Sequence, residues 1–355
     1  MRIADAGVAG RMIPSAEIGA ELSTRLLRSV EEIRQISSEW RDLFRRRHAT
    51  AFQSPDWLLP WIEVFLPEKM LFVEVRCANQ LVAAAPLLIY RRDSERVLAF
   101  MGGGVSDYLD VLVDPAFESQ AISEMIWASL NAHEEWTVLD LTDLPSHSAL
   151  LGIPFLQNSA REHDSCSVLH LPHTREDLLH LFSKRQRANL RNAYSRLERA
   201  GGGQVEIATN ETLPEFLGDL FALHTNRWSE QEQSGVLDDE CVRAFHRSCA
   251  PALLHEGVLH LARLRLGKRT IAVIYSLLSN RTAYCYLQGF DPEFSSLSPG
   301  TQLMFSVMND TLARGLGEFD FLRGREAYKQ HWRAETKPTF RIQLHRATLA
   351  TMPKT

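Results

Sequence analysis

Apolar residues along this chain change period from one segment to the next, and each period predicts an element. From Val30 to Phe44 they recur at three- and four-residue spacing (Val30, Ile33, Ile36, Trp40, Leu43), the signature of an amphipathic helix. A shorter helix is expected over Pro55 to Phe65, with Trp57 and Trp61 on one face. Strand-sized runs follow in LFVEVRC, LVAAAPLLIY, RVLAFM and YLDVLVD, then a helix from Glu118 to Ala132 and a strand at WTVLDL. The second half repeats that order: strands LHLARLRL, TIAVIYSLL and TAYCYLQGF, a helix from Gly300 to Arg314, and the strand EFDFLRG. Leu71 and Leu259 open matching strands, as do Trp136 and Glu318. A duplicated α/β unit follows, repeated in pattern rather than identity.

Between the halves, Arg175 to Gly203 has helical spacing (Leu178, Leu181, Phe182, Leu190, Leu197) and ends in three glycines suited to a left-handed stop. Lys184, Arg185, Arg187, Arg191, Arg196 and Arg199 crowd this segment. The stripe suits an anionic acceptor, a cofactor phosphate or an acidic partner, and equally a solvated helix face.

Composition narrows the class. The 355 residues exceed one ordinary core and fit two domains, with 45% hydrophobic and 23% charged residues, as in soluble globular chains. A net charge of -5 disfavours a globally electrostatic binder of nucleic acid or anionic membrane. No apolar run is long enough for a membrane span and the N-terminus does not resemble a secretory signal, so a cytoplasmic protein is expected. The five cysteines are widely spaced without a C-x-x-C pair, which fits reduced, mostly buried thiols. No metal site is expected: the histidines of HEGVLH are five apart rather than four, and Cys166, His170 and His173 fall at a strand end.

Two stretches carry candidate chemistry. Ser298-Pro299-Gly300-Thr301-Gln302 opens an apolar-periodic helix, whose free N–H groups and positive dipole end suit an anion, with Gly300 allowing close approach. Downstream, the strand through Phe319, Phe321 and Leu322 runs into Gly324, after which Glu326, Tyr328, Lys329 and Trp332 crowd together. A core needs the strand but not that tail. In MGGGVSDYLD, three glycines lack the Gly-Lys-Ser/Thr of a phosphate loop. Gly104 to Tyr108 fails as a nucleophile elbow because Tyr108 stands where glycine is required.

The run Gly-x-Glu-x-Tyr-Lys-x-x-Trp (Gly324, Glu326, Tyr328, Lys329, Trp332) after a Pro-Gly helix start resembles the GNAT acyltransferase superfamily. The likeness is to its CelD-like branch, associated with cellulose and exopolysaccharide synthesis and related to the FemABX aminoacyl transferases. The resemblance covers about residues 25 to 345 and implies an α/β (α+β) fold of tandem GNAT-like domains, each a mixed, largely antiparallel sheet flanked by helices. The expected division is a loose lead (1–24), a first GNAT-like domain (25–172), a basic connecting helix (173–203), a second domain with the acyl-CoA site (204–348) and a tail (349–355).

By the same resemblance, acetyl-CoA or another acyl-CoA is the cofactor. It would be held by the splayed strand at Leu287, Gln288 and Gly289 and by Ser298, Pro299, Gly300, Thr301 and Gln302, although the turn lacks the usual second glycine and preceding arginine. Lys329, Glu326 and Tyr328 are the expected catalytic groups: a cation for developing negative charge, a base and a proton donor to the leaving thiolate. Asp107, Tyr108, His224, Trp228, Arg323 and Trp332 are expected to bind the acceptor, an amine or hydroxyl of a sugar, polysaccharide precursor or small molecule. The alternatives are FemABX-like transfer from aminoacyl-tRNA, with tRNA on the basic helix, and a non-catalytic scaffold.

Overall fold

The structure, a computed structural model, describes residues 21–47, 49–229, 235–324, 329 and 332–349; of residues 226–229 and 349 it describes the backbone alone. Glu326 and Tyr328, two of the expected catalytic residues, lie outside the described residues, as does the side chain of Trp228. So does the expected loose lead apart from its last four residues, where the first strand already begins.

The first half runs β1 (Leu22–Leu27), α1 (Val30–Gln35), α2 (Ser37–Arg46), α3 (Pro55–Phe65), β2 (Lys69–Cys77), β3 (Gln80–Arg92), β4 (Glu95–Phe100), β5 (Leu112–Val113), α4 (Ser119–Asn131), β6 (Val138–Pro145), α5 (Pro154–Ser159) and β7 (Ala160–His170). After α6 (Arg175–His180) and α7 (Lys184–Arg199), the second runs β8 (Gly203–Ile207), α8 (Leu213–Ser229), α9 (Glu240–His255), β9 (Leu259–Leu266), β10 (Arg269–Ser279), β11 (Thr282–Phe290), α10 (Pro299–Ala313), β12 (Glu318–Arg323) and β13 (Glu335–His345). The expected helix over Val30 to Phe44 is split at Ile36, although its apolar stripe is buried from Ile33 onward, with Val30 half-buried. Local chemistry sets these starts. Ser29 and Glu32 form a capping box on α1, and Ser54 caps α3 with Pro55 in its first turn.

All thirteen described strands join one mixed sheet in the order β1-β2-β3-β4-β6-β13-β7-β12-β11-β10-β9-β8, with β5 branching off β3. The two halves are matched. In each, three antiparallel strands are followed by a helix and a strand that returns parallel to the third: β4 with β6 and β11 with β12. The last strand of each half crosses to the other, β7 pairing with β12 and β13 with β6, while β7 and β13 pair with each other at the centre.

One face of the sheet is covered by α1–α3, α8 and α9, sharing an apolar core in which Trp57 of α3 meets Phe245 of α9 edge-on at 4.8 Å. On the other face, α4 covers the first half, and α6, α7 and α10 cover the second. Of the five cysteines, Cys166, Cys249 and Cys285 are buried, Cys77 is half-buried and Cys241 is exposed.

Two sequence readings are corrected. YLDVLVD forms a strand only at Leu112–Val113, because buried Asp110 takes the Val111 N–H and the Ser148 hydroxyl and so diverts the backbone from a ladder. The basic segment is two helices, broken where Ser183 caps α7 in a box with Gln186. Strands β1, β8 and β13 were not expected, and of β7 only its end near His170 was, since each has exposed or irregularly alternating positions that hide a two-residue period.

Candidate active site

Strands β11 and β12 pair only over Thr282 to Tyr284 and Glu318 to Asp320. Beyond that point they part, and among the described residues the stretch Cys285 to Phe290 keeps β10 alone as its ladder partner. Gly289 fixes one arm of the opening: a β-carbon there would lie 2.7 Å from the His224 nitrogen, so α8 packs against bare backbone.

A cleft of about 380 Å³ opens beside this arm, lined by Gln288 and Phe290 of β11, Ser298, Gly300, Thr301 and Met304 at the start of α10, Trp332, Phe182 and one face of α7. Its walls are largely apolar, and its polar end is the N-terminus of α10. Ser298, the N-cap, has φ 52° and ψ 50° and gives no side-chain hydrogen bond to the helix. Pro299 has no N–H, so the first amides are those of Gly300 and Thr301, on the cleft wall. Such amides and the helix dipole favour a phosphate or other anion.

Gly300 has no positive φ, and a β-carbon there would meet only Phe290 Cδ1, at 3.7 Å. The fold does not require glycine at this position. What its absent side chain leaves open is the cleft.

Of the eight residues expected to hold a cofactor, Gln288, Ser298, Gly300 and Thr301 line the cleft. Leu287 packs into the core of the opposite face, Pro299 is buried, and Gln302 donates to the Leu297 carbonyl at 2.7 Å. Trp332, expected at the acceptor, stands in the cleft wall edge-on to Phe182 at 5.2 Å.

The wall from α7 was not expected. Gln186, Asn189, Leu190 and Ala193 face the cleft, a three-and-four spacing that the sequence does contain. The same helix carries the six cations. Among the described residues none of them meets a carboxylate; Arg187 and Arg199 bond backbone carbonyls instead.

A second polar group lies where the halves meet. Arg323, at the end of β12, donates to Asp107, to Asp143 at 3.1 Å and to the Ser106 carbonyl at 3.1 Å. Tyr108 donates to Asp320 at 2.8 Å, and Asp320 also takes the Leu322 N–H at 2.7 Å. Burial pushes the Asp107 carboxyl up against the pull of Arg323, and pushes Asp320 up to about 6. Asp107, Tyr108 and Arg323 are thus brought together, while His224 lies buried in α8 behind Gly289. Asp143 and Asp320 were missed. The signal for Asp320 was its place between Phe319 and Phe321, which turns a carboxylate to the sheet face opposite two core rings.

Lys329 is buried, and its ammonium donates to the carbonyls of Leu322 (3.1 Å), Arg323 and Gly324 (3.3 Å). It fastens the end of β12 beside the Arg323 group. Among the described residues no cluster of metal-binding side chains occurs, and no helix is long and apolar enough to cross a membrane.

Residues 184–330 match the family model described as an acetyltransferase (GNAT) domain, a match that begins at the first residue of α7. No curated protein sequence matches the chain. Among solved structures it is similar to FemX, with 11% identity over 93% of this chain and 99% of the other, at a TM-score of 0.63. It is also similar to the C-terminal domain of a putative lysylphosphatidylglycerol synthetase from Agrobacterium fabrum, with 12% identity over 88% and 92% at 0.54. A conserved protein of unknown function from Bacteroides thetaiotaomicron shares 14% identity over 92% and 100% at 0.55. At these identities the likeness is one of fold.

Proposed function

We propose that this chain transfers an acetyl or other acyl group from acyl-CoA to an amine or hydroxyl of a sugar, polysaccharide precursor or related small molecule. The observation that carries the reading is the cleft at the parted strands, with uncapped amides of Gly300 and Thr301 at its polar end and apolar walls leading away. The match of residues 184–330 supports it. Acyl-CoA would supply the activated thioester. Gly300 and Thr301 would hold phosphate through their amides, and Phe182, Leu190, Met304 and Trp332 would exclude water from the chain between phosphate and thioester. Amides of β11 beyond Tyr284, released from pairing with β12, would donate to the carbonyl oxygen as negative charge develops there. The acceptor's own nucleophile would attack directly, since among the described residues no cysteine or serine stands in an activating setting.

The cations of α7, none of which meets a carboxylate among the described residues, favour a second reading, transfer from aminoacyl-tRNA, with the helix against the acceptor stem. Thermal shift with acetyl-CoA, longer acyl-CoAs, desulfo-CoA and aminoacyl-tRNA separates the two, because a ligand of the folded state raises the melting temperature by mass action. A shift with acyl-CoA is expected. A shift with aminoacyl-tRNA alone favours the second reading, and no shift with any of them favours a non-catalytic scaffold.

A further inference from the structure

Because the chain is a duplicated unit, each half is an internal control for the other. Asp140 on β6 and Asp320 on β12 hold comparable places: each lies between two core residues, Leu139 and Leu141 or Phe319 and Phe321, and shortly before a register break that contains a left-handed residue, Asp143 three positions on or Leu322 two positions on. Their surroundings differ. Arg341 grips Asp140 through two bonds, at 2.6 and 2.8 Å, and Arg92 adds a third at 2.9 Å. Burial works against that carboxylate, yet the arginines hold it below its ordinary range. Among the described residues Asp320 receives no cation within bonding distance, only the Tyr108 hydroxyl and the Leu322 amide.

A core gains nothing from a buried carboxylate without a counter-charge. Asp320 is also the last residue of β12 paired to β11, at the apex where the strands part. Its face of the sheet is the one turned away from the cleft and toward the first half, which contributes Tyr108. Cofactor and acceptor would therefore meet across that apex from opposite faces.

We propose that Tyr108 and Asp320 form the proton-accepting pair of the transfer, Tyr108 meeting the nucleophile and Asp320 acting through it; this rests on the acyl-CoA reading above. As the nucleophile bonds to the acyl carbon, its N–H or O–H bond breaks and the proton passes to Tyr108 Oη, while the proton of Tyr108 passes to Asp320. When the C–S bond breaks, the proton on Asp320 returns by the same path to the thiolate, and the pair ends as it began. Tyr108 does not act as a free phenolate, since burial raises its pKa far above the ordinary phenol value. The groups facing Asp320 are Asp107 beside Tyr108, Cys166 of β7, Tyr284 of β11 and Lys337 of β13. Asp107 pushes its carboxyl up and Lys337 pulls it down, both weaker than burial. The value near 6 suits a base working close to neutrality.

The test uses the full chain and three variants, Asp320→Asn, Tyr108→Phe and Glu326→Gln. CoA release from acetyl-CoA is followed across pH 5 to 9, with glucosamine, ethanolamine, hydroxylamine or water as acceptor. The wild-type kcat/KM is expected to fall below pH of about 6, and Asp320→Asn to lose that limb together with about 10² in rate, acetyl-CoA affinity being kept. Tyr108→Phe should lose rate similarly. A limb that persists in Asp320→Asn, or vanishes only in Glu326→Gln, overturns the proposal. A second measurement needs no acceptor. Asp320→Asn should melt above wild type at pH 8, with the gap closing by pH 4, and no gap at pH 8 would mean that Asp320 is neutralised and idle. Failure of wild type to bind acetyl-CoA would instead overturn the cofactor reading itself.

Discussion

Arg323, in the last strand of one half, donates through Nε to the carboxylate of Asp107, 216 residues earlier in the other. The same guanidinium reaches Asp143, whose side chain is only 7% exposed, so one cation holds two carboxylates at the seam. Removing Arg323 strands both. Arg323→Gln should therefore destabilise by about 3 kcal/mol, the usual cost of leaving buried charge unpaired. In a double-mutant cycle, Asp107→Asn should recover part of that loss. Additive effects in chemical denaturation would show that the pair carries no coupling.

Gly300 tests the cleft without disturbing the fold. Its backbone is ordinary and only Phe290 lies within reach of an added β-carbon, so Gly300→Val should keep its circular dichroism and lose little stability. The branched side chain would fill the approach to the Gly300 and Thr301 amides. We expect the KM for acyl-CoA to rise by about tenfold or more, the loss of roughly one hydrogen bond to a charged group. An unchanged KM in a folded variant removes this turn from the cofactor site.

Lys329 separates a cation that acts on substrate from one that holds the backbone. Its ammonium bonds three successive carbonyls, and Lys329→Met keeps the stem while stranding those oxygens. A loss of about 1 to 3 kcal/mol in stability is expected from the unpaired polar groups alone. If the cation also stabilises the transition state, kcat falls by a further factor of about 10² at temperatures where the variant is fully folded. Stability lost at unchanged kcat would confine Lys329 to the backbone.

Much of this fold was legible because it rests on periodicity. Trp40, Trp57, Leu71, Val97 and Trp136 stand in apolar patterns and are all buried, and the repeat of strands, a helix and a further strand followed from segment order, although the parallel return of that last strand did not. What hid were strands held by long-range pairing. In β13, Pro338 and several exposed polar positions mask an element whose place between β6 and β7 depends on residues about 200 positions away. The site divides the same way. Ser298 to Thr301 announced themselves by local turn chemistry. Asp320 did not, because what sets it apart, the lack among the described residues of the arginines that Asp140 has, is a comparison that exists only in three dimensions.

The cations of α7 offer a test by salt. Gln186, Asn189 and Ala193 face the cleft, and helical geometry sets Arg185 and Arg196 beside that face, with Arg187 and Arg191 farther round. Arg185→Gln with Arg196→Gln should weaken CoA binding and flatten its dependence on ionic strength, because screened attraction dominates such contacts. Arg187→Gln with Arg191→Gln should leave both nearly unchanged. Equal effects from the two pairs would indicate a diffuse field rather than contact with a phosphate.

His246 sets the acid limit of the fold. It is fully buried in α9 among Trp57, Phe245, Tyr275 and Tyr286, and neither ring nitrogen has a hydrogen-bond partner among the described residues. Burial, with a smaller contribution from His224, lowers its pKa from 6.5 to about 3. A folded-state value below the unfolded one means that the unfolded chain takes up the proton first. The contribution of neutral His246 is therefore complete above about pH 6.5 and is lost progressively as the pH falls toward 3. Each pH unit between the folded and unfolded values is worth about 1.36 kcal/mol, so that loss is on the order of 5 kcal/mol. His246→Leu keeps an apolar side chain of similar reach in the cage and has nothing to protonate. It should be at least as stable as wild type at pH 7, since it also removes two unsatisfied nitrogens, and its acid-unfolding midpoint should lie lower. An imidazole signal for His246 that titrates near 6.5 in the folded protein would contradict the account directly, by showing that water or another group already reaches the ring.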